Sequence, residues 1–238
     1  MCLFSDLFKK MLMKKGVFGS GRLLCYLSRI VPLRLKKVKV DDKRSIKLFL
    51  YKKQFKLQYG RVLYSDGTEY FPFKMAFSKM KTRLSESENV LVLGAGIGSV
   101  GMMLHDKFPA KQWQMHFVDI SRPILETCSS VMDFFPNVKG EYTQADAVAF
   151  IQKAPGKRYD LVCIDVFEED KVPDEILSEG FLHGVKNVLK EQSAVVMNMM
   201  FENDTQKQRF EQILTDEFRV FDRLEKEQNS IYILPAKS

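Results

Sequence analysis

The segment Asn89–Gly101, NVLVLGAGIGSVG, constrains this chain most, because three acids follow it at successive strand ends. An apolar strand pattern, Val90–Leu93, runs directly into glycines at 94, 96 and 98 and then into a helical pattern, Val100–Phe108. Asp119 closes the apolar run Met115–Val118, Asp146 stands ahead of another helical segment, and Asp165 closes the run Leu161–Ile164. A glycine-rich strand-to-helix turn followed by such acids predicts a nucleoside-binding crevice at the carboxyl edge of a parallel sheet.

Each residue type has a physical reason to be there and a plainer alternative. Glycines let the backbone take positive φ and approach a ligand closely, and the free N–H groups of the helix they open can receive a carboxylate or phosphate. The loop has two registers. Gly94, Gly96 and Gly98 with Ser99 spell GxGxGS, whereas Gly96, Gly98 and Gly101 spell the offset GxGxxG of dinucleotide enzymes. The strand ends at Leu93, which favours the first; a tight turn with no ligand is the alternative. Asp119 stands where a second-strand acid bonds ribose hydroxyls, or else caps the helix Ser121–Met132, a task Ser121 can also perform. Asp146 either accepts from an exocyclic adenine amine or caps the helix after it. Asp165 is placed to orient or deprotonate an amine or to attract a cationic substrate. Its neighbours Glu168, Glu169 and Asp170 read as a solvated acidic loop. His105, His116 and His183 lie away from these acids, and no Ser/His/Asp or Cys/His arrangement suggests a hydrolase.

The periodicity divides the chain. Residues 1–35 alternate apolar and basic residues at helical spacing, which predicts two short amphipathic helices ended by Pro32. From Leu35 to Tyr64 the period is two, predicting a small antiparallel sheet with Ser65-Asp66-Gly67 as its clearest turn. Tyr70–Arg83 is expected as one helix whose aromatic and Met stripe packs the core. From Val90 strands and helices alternate, with helices expected at 99–108, 122–132, 146–153, 174–190 and 205–217. The chain ends in the hairpin RVFDRLEK/SIYILPA, which places the last strand antiparallel at or near a sheet edge. The expected organisation is a basic helical extension (1–34), a small β-domain (35–69) and a doubly wound, seven-stranded α/β domain (70–238).

Charge is concentrated at one end. Residues 1–60 hold 16 Lys and Arg against three acids, while the remainder holds 21 against 27. A basic arm of this kind can contact nucleic acid or an anionic membrane surface, although a solvated basic face is the favoured reading. No run is long and uncharged enough to span a membrane: Leu23–Leu33 is short and broken by Arg29 and Pro32. Cys2, Cys25, Cys128 and Cys163 are scattered without metal-ligand spacing, so reduced thiols, a cytoplasmic setting and no bound metal are expected. Unpaired strands within 35–64 would allow two copies to pair as a homodimer.

Over about residues 35–200 the chain resembles the spermidine synthase-like branch of the S-adenosylmethionine (SAM)-dependent methyltransferase fold. The resemblance rests on GRVLYSDG (Gly60–Gly67), the glycine loop (Gly94–Ser99), VDIS (Val118–Ser121), ADAVAF (Ala145–Phe150) and YDLVCID (Tyr159–Asp165), in the family's order. It implies that Gly94, Ala95, Gly96, Gly98, Asp119, Ile120, Asp146 and Ala147 hold SAM or decarboxylated SAM, and that Asp165 faces the acceptor. The polyamine half of the family pattern is largely absent, although the first acid of its DSSDP-like segment is kept as Asp165. Asp66-Gly67 is followed by TEYFPFKMAF, without the Gln, the DE pair or the Tyr-His-Glu segment of aminopropyltransferases. Ile97 replaces an acid in the glycine loop, and the DSSDP-like segment has become Asp165-Val166-Phe167-Glu168-Glu169.

The resulting expectation is a SAM-dependent methyltransferase acting on a small-molecule N or O acceptor. An aminopropyltransferase using decarboxylated SAM and a non-catalytic nucleoside-binding or interaction protein are the alternatives. An NAD-dependent oxidoreductase is disfavoured by the roughly 90 residues ahead of the loop and by the terminal hairpin.

Overall fold

The structure, a computed structural model, describes residues 27–39, 45–59, 62–168 and 171–235. Strands β1 (Leu33–Lys39), β2 (Ser45–Tyr51), β3 (Gln54–Tyr59) and β4 (Val62–Ser65) form an antiparallel meander in the order β1-β2-β3-β4. A single 3₁₀ turn (Gly67–Glu69) leads into α1 (Phe71–Lys79) and α2 (Lys81–Glu86). The alternating half follows: β5 (Asn89–Leu93), α3 (Ser99–Lys107), β6 (Trp113–Asp119), α4 (Arg122–Met132), β7 (Val138–Gln144) and α5 (Ala147–Lys153). It continues through β8 (Tyr159–Ile164), α6 (Glu179–Val188), β9 (Leu189–Met199), α7 (Asp204–Phe218), β10 (Asp222–Lys226) and β11 (Asn229–Pro235).

These strands make one seven-stranded sheet in the order β10-β11-β9-β8-β5-β6-β7. β5 to β9 are parallel and β11 runs against β9 and β10. Strand order reverses between β5, which continues to β6, and β8, which continues to β9. The loops leaving β5 and β8 therefore diverge and leave a crevice at their carboxyl ends. Side-chain alternation sends each central strand into two cores. Val90, Val92, Met115, Phe117, Cys163 and Val196 join one cluster, while Leu91, Leu93, Val118, Val162, Ile164 and Met197 join the other. Burial on both faces is why these strands read as continuous apolar runs; each such Leu or Phe contributes about 1.5–3 kcal/mol.

The small sheet follows the period of two. Ile46, Leu48 and Leu50 of β2 and Phe55 and Leu57 of β3 are buried and enter the first core. Phe55 meets Phe134, beyond the end of α4, with ring centroids 5.7 Å apart.

Three expectations need correction. The segment Tyr70–Arg83 is two helices, because Met80 leaves helical geometry (φ −105°, ψ 20°). The bend buries Met80 and lets Leu84 reach the same core as Phe73 and Phe77; apolar spacing records which residues face inward, not a change of axis. The helix expected over 174–190 is shorter at both ends. Turns anchored on the carbonyls of Pro173, Asp174 and Glu175 precede Ser178, whose hydroxyl accepts from the Phe181 N–H, and β9 already begins at Leu189. The small sheet begins at Leu33, two residues earlier than its period implied. The two helices expected within residues 1–35 fall mostly outside the described residues, and 27–31 form a turn.

Candidate functional site

The turn after β5 requires its glycines. Gly94 has φ +84°, and a Cβ there would lie 2.1 Å from the backbone oxygen of Asp165 and 2.7 Å from its carbonyl carbon. Only a residue without a side chain lets the end of β5 lie against the end of β8, where the Asp165 N–H donates to the Leu93 carbonyl at 2.8 Å. At Gly96 (φ +51°) a Cβ would make only ordinary contact, with the Ser65 hydroxyl at 3.5 Å. Gly98 (φ +84°) is the left-handed N-cap of α3. Ala95 and Ile97 turn inward and are buried. An acid could not occupy the Ile97 position without losing that core contact.

The small sheet closes over this loop. Ser65, the last residue of β4, and Ser99, the first of α3, share a buried 2.6 Å hydrogen bond between their hydroxyls. The turn residues Ser65-Asp66-Gly67 thus bring the meander to the glycine loop as well as ending it.

The three acids stand at the carboxyl ends of β6, β7 and β8. Asp119 accepts from the Ser121 N–H at 2.9 Å. Burial pushes its carboxyl above the usual range, against the opposing pull of the Ser121, Gly96 and Ala95 amides. It therefore holds the glycine loop and the entry to α4 together. Ser121 is the N-cap of α4 yet makes no side-chain cap bond. Ile120, next to Asp119, is 69 % exposed, a large apolar side chain held in solvent at the crevice. Asp146 caps α5, accepting from the Ala149 N–H at 2.9 Å, with Ala147 buried behind it. The capping alternative for Asp146 is thus what the geometry contains, and its exposed carboxylate retains free acceptor capacity.

Asp165 has partners that the sequence did not announce. The Tyr70 hydroxyl donates to its Oδ1 at 3.0 Å, and the Asn198 side-chain amide donates to the same oxygen at 2.9 Å. Asn198 Nδ2 also lies 3.3 Å from the Tyr70 hydroxyl, while its Oδ1 is buried with no partner. Burial pushes the Asp165 carboxyl up to about 6, and the two donors only partly offset this. Tyr70 comes from the N-cap of α1 and Asn198 from β9, so three separate elements converge on one carboxyl group. Tyr70 belonged to an aromatic stripe read as core packing. Asn198 did carry a signal: it is the one amide in the apolar run AVVMNM, and a polar group buried in a central strand needs a partner.

Elsewhere the titratable groups are structural. His116 is buried between the Tyr159 hydroxyl (2.9 Å) and the Thr143 hydroxyl (2.8 Å), and burial lowers its pKa. Burial pushes the Cys128 and Cys163 thiols well up, which leaves them unreactive. Among the described residues no cluster of His, Cys, Asp and Glu could hold a metal, and no helix is long and apolar enough to cross a membrane.

A five-strand parallel core ending in an antiparallel hairpin, with a glycine loop after β5 and acids at the carboxyl ends of β6, β7 and β8, is a Rossmann-like fold shared with spermidine synthases and methyltransferases of known structure. Within that class, residues 75–235 match the spermine/spermidine synthase domain, and the chain belongs to that family. It is 26% identical over 136 residues to a polyamine aminopropyltransferase of Vibrio vulnificus, covering 56% of this chain and 44% of that protein. It is equally 26% identical over 121 residues to the eEF1A lysine and N-terminal methyltransferase of Xenopus laevis, covering 47% and 17%. The chain thus spans less than half the length of these curated relatives. Among solved structures, the spermidine synthase of Thermotoga maritima aligns with 86% of this chain and 73% of its own (TM-score 0.63, 14% identity). Human methyltransferase-like protein 13 in complex with SAH aligns with 70% and 79% (TM-score 0.55, 21% identity).

Proposed function

We propose that this chain is a SAM-dependent methyltransferase acting on an N or O acceptor. The observation that carries the reading is Asp165, a carboxyl held by Tyr70 and Asn198 at the crevice beside Gly94. The residues present suit the cofactor. Gly94–Gly98 offer a cradle that a Cβ would obstruct, and the first amides of α3 suit the methionine carboxylate. Asp119 suits ribose hydroxyls, Asp146 the exocyclic amine of adenine, and exposed Ile120 a flat face of the base. Bound SAM would supply an electrophilic methyl group on a sulfonium.

The chain's own contribution is alignment and proton handling. With both donors gathered on Oδ1, Oδ2 of Asp165 is left to accept a hydrogen bond from the nucleophile's N–H or O–H. A carboxyl near 6 is ionised at neutral pH yet more basic than an ordinary Asp, which suits it to take that proton as the new bond forms. Tyr70 and Asn198 fix its rotamer, so the acceptor meets an oriented oxygen.

The Vibrio relative keeps aminopropyl transfer in view as the second reading. Against it stands the run from Gly67 through one 3₁₀ turn into α1, TEYFPFKMAF, which lacks the Gln, the DE pair and the Tyr-His-Glu segment of the aminopropyltransferase pattern. Calorimetric titration with SAM and with decarboxylated SAM separates the two. Tighter binding of SAM is expected. Preference for the decarboxylated form, with product from putrescine, would establish the second reading instead, and binding of neither would remove both.

A further inference from the structure

The outer face of the small sheet carries a feature that the crevice does not use. β1, β2 and β3 contain six Lys or Arg residues and no acid. Their pairing sets five of them, Arg34, Lys37, Lys39, Lys47 and Lys56, on the face turned away from the core, while Lys36 lies opposite the buried Leu48. Lys37 lies opposite Lys47, which lies opposite Gln58, and Arg34 lies opposite Phe49, which lies opposite Lys56. Tyr51 ends the face opposite Gln54. Lys56 pairs with Asp66, whereas Arg34 and Lys37 are exposed.

Two details run against the stability of the sheet itself. Like charges directly opposite one another in an antiparallel pair repel, and Lys37 faces Lys47 in that way. The β2–β3 turn has Lys52 (φ +50°) and Lys53 (φ +64°) at both left-handed positions, where Asn-Gly is the undemanding choice. Both details concentrate positive charge on one surface. Rings are set into it: Phe49 and Tyr51 are half-buried, and Lys52 Nζ and Lys56 Nζ stand 5.5 and 5.8 Å from the Tyr51 ring centroid.

We propose that this face binds single-stranded RNA, with phosphates along the Arg34, Lys37, Lys47 and Lys52–Lys53 cations and bases stacked on Tyr51 and Phe49. Lys37 and Lys47, about 5 Å apart across the pair, and Lys37 and Lys39, about 7 Å apart along β1, begin a track for a polyanion that Arg34 and the Lys52–Lys53 turn extend. Aromatic rings among those cations are the stacking platform that unpaired bases need. A duplex keeps its bases stacked on one another and has no use for the rings. The apolar groups set among these cations, Phe49 and Tyr51, are half-buried rings that suit base stacking, while the exposed aliphatic side chains Leu27, Ile30 and Val31 lie ahead of β1 and make an anionic membrane the competitor to test. Gln54, opposite Tyr51 on the same face, accepts from the Thr68 N–H through Oε1 at 3.2 Å, and its side-chain NH₂ is the kind of donor that bonds a ribose 2′-hydroxyl and so favours RNA over DNA.

The test is fluorescence anisotropy of the full chain with a labelled 12-nucleotide oligouridylate, across a salt series. With four to five phosphates engaged, log K should fall against log salt with a slope of about −3. The double variant Lys37→Glu/Lys47→Glu should weaken binding at least ~10-fold and flatten the slope by about 1.4 or more. Tyr51→Ala should weaken it ~5-fold or more while leaving the slope in place. SAM titration and melting temperature of the same variants should be retained, so failure of this proposal is separable from failure of the crevice assignment. No binding at 50 mM salt, equal affinity for duplex RNA or for oligothymidylate, or preferential binding to phosphatidylserine vesicles would each overturn the proposal.

Discussion

The two sheets of this molecule use charge in opposite ways. The seven-stranded sheet places its crevice acids singly, at the carboxyl ends of β6, β7 and β8, and surrounds Asp119 and Asp165 with donors that fix their orientation. The four-stranded sheet spreads cations over a face, without an acid in β1, β2 or β3. Charge that must act at one atom is buried and held. Charge that attracts a long partner is distributed and left in water, where individual placement matters little. The difference predicts that single substitutions will have large effects in the crevice and small ones on the outer face.

The largest effect is expected at Asp165. Asp165→Asn keeps the shape and an oxygen for Tyr70 and Asn198 but removes the base, so turnover should fall about 10²- to 10⁴-fold. The same change should stabilise the fold at alkaline pH. Because burial raises the folded-state pKa of Asp165 to about 6, this group favours the native state while protonated and loses that contribution as pH rises from about 4 through about 6. The variant has no such loss. Its melting temperature should match wild type near pH 4 and exceed it at pH 8, by about 1–3 kcal/mol in stability. Wild-type turnover should rise with pH through about 6. A variant less stable than wild type at pH 8 would show that the carboxylate is held more favourably than its burial implies.

Next is Gly94→Ala. The added methyl meets backbone atoms of Asp165 at 2.1 and 2.7 Å, which no rotamer change relieves, and φ +84° strains any L side chain. About 3 kcal/mol or more should be lost, lowering the melting temperature by roughly 6–12 °C. SAM binding should weaken in the protein that still folds. Gly96→Ala is the control. Its nearest neighbour is 3.5 Å away, so only the cost of φ +51° is expected. Equal melting temperatures for the two would mean that the β5–β8 contact is not what fixes the loop.

Much of the proposed nucleoside site was legible in the sequence, since a strand, a glycine turn and an acid at a strand end are local features that survive without knowledge of the fold. Asp119 and Asp146 lie at the strand ends that the local pattern indicates, and Asp146 caps α5, one of the two roles open to it from sequence. Of the proposed acceptor site, only Asp165 was legible. Tyr70 and Asn198 are 95 and 33 residues away from it in sequence, and nothing local tells an aromatic in a helical stripe that its hydroxyl faces a carboxylate. The two-helix break at Met80 was hidden for a similar reason, since it follows from where two helices must pack. The basic surplus was plain from composition, but its alignment into rows depends on the register of β1, β2 and β3, which no single strand encodes.

The smallest effect carries the sharpest contrast between the sheets. Lys37→Glu replaces a repulsion with Lys47 by an attraction across the same antiparallel pair. Its expected gain is about 0.5 kcal/mol, or about 1–2 °C in melting temperature. Because Lys37 is exposed, the gain should appear at 20 mM salt and vanish at 500 mM. The same variant should bind oligouridylate more weakly, so stability and binding move in opposite directions at one residue. That opposition is what a surface retained for an anionic partner requires. If the low-salt melts coincide instead, Lys37 and Lys47 are too well solvated to repel one another, and the concentration of charge on this face costs the sheet nothing.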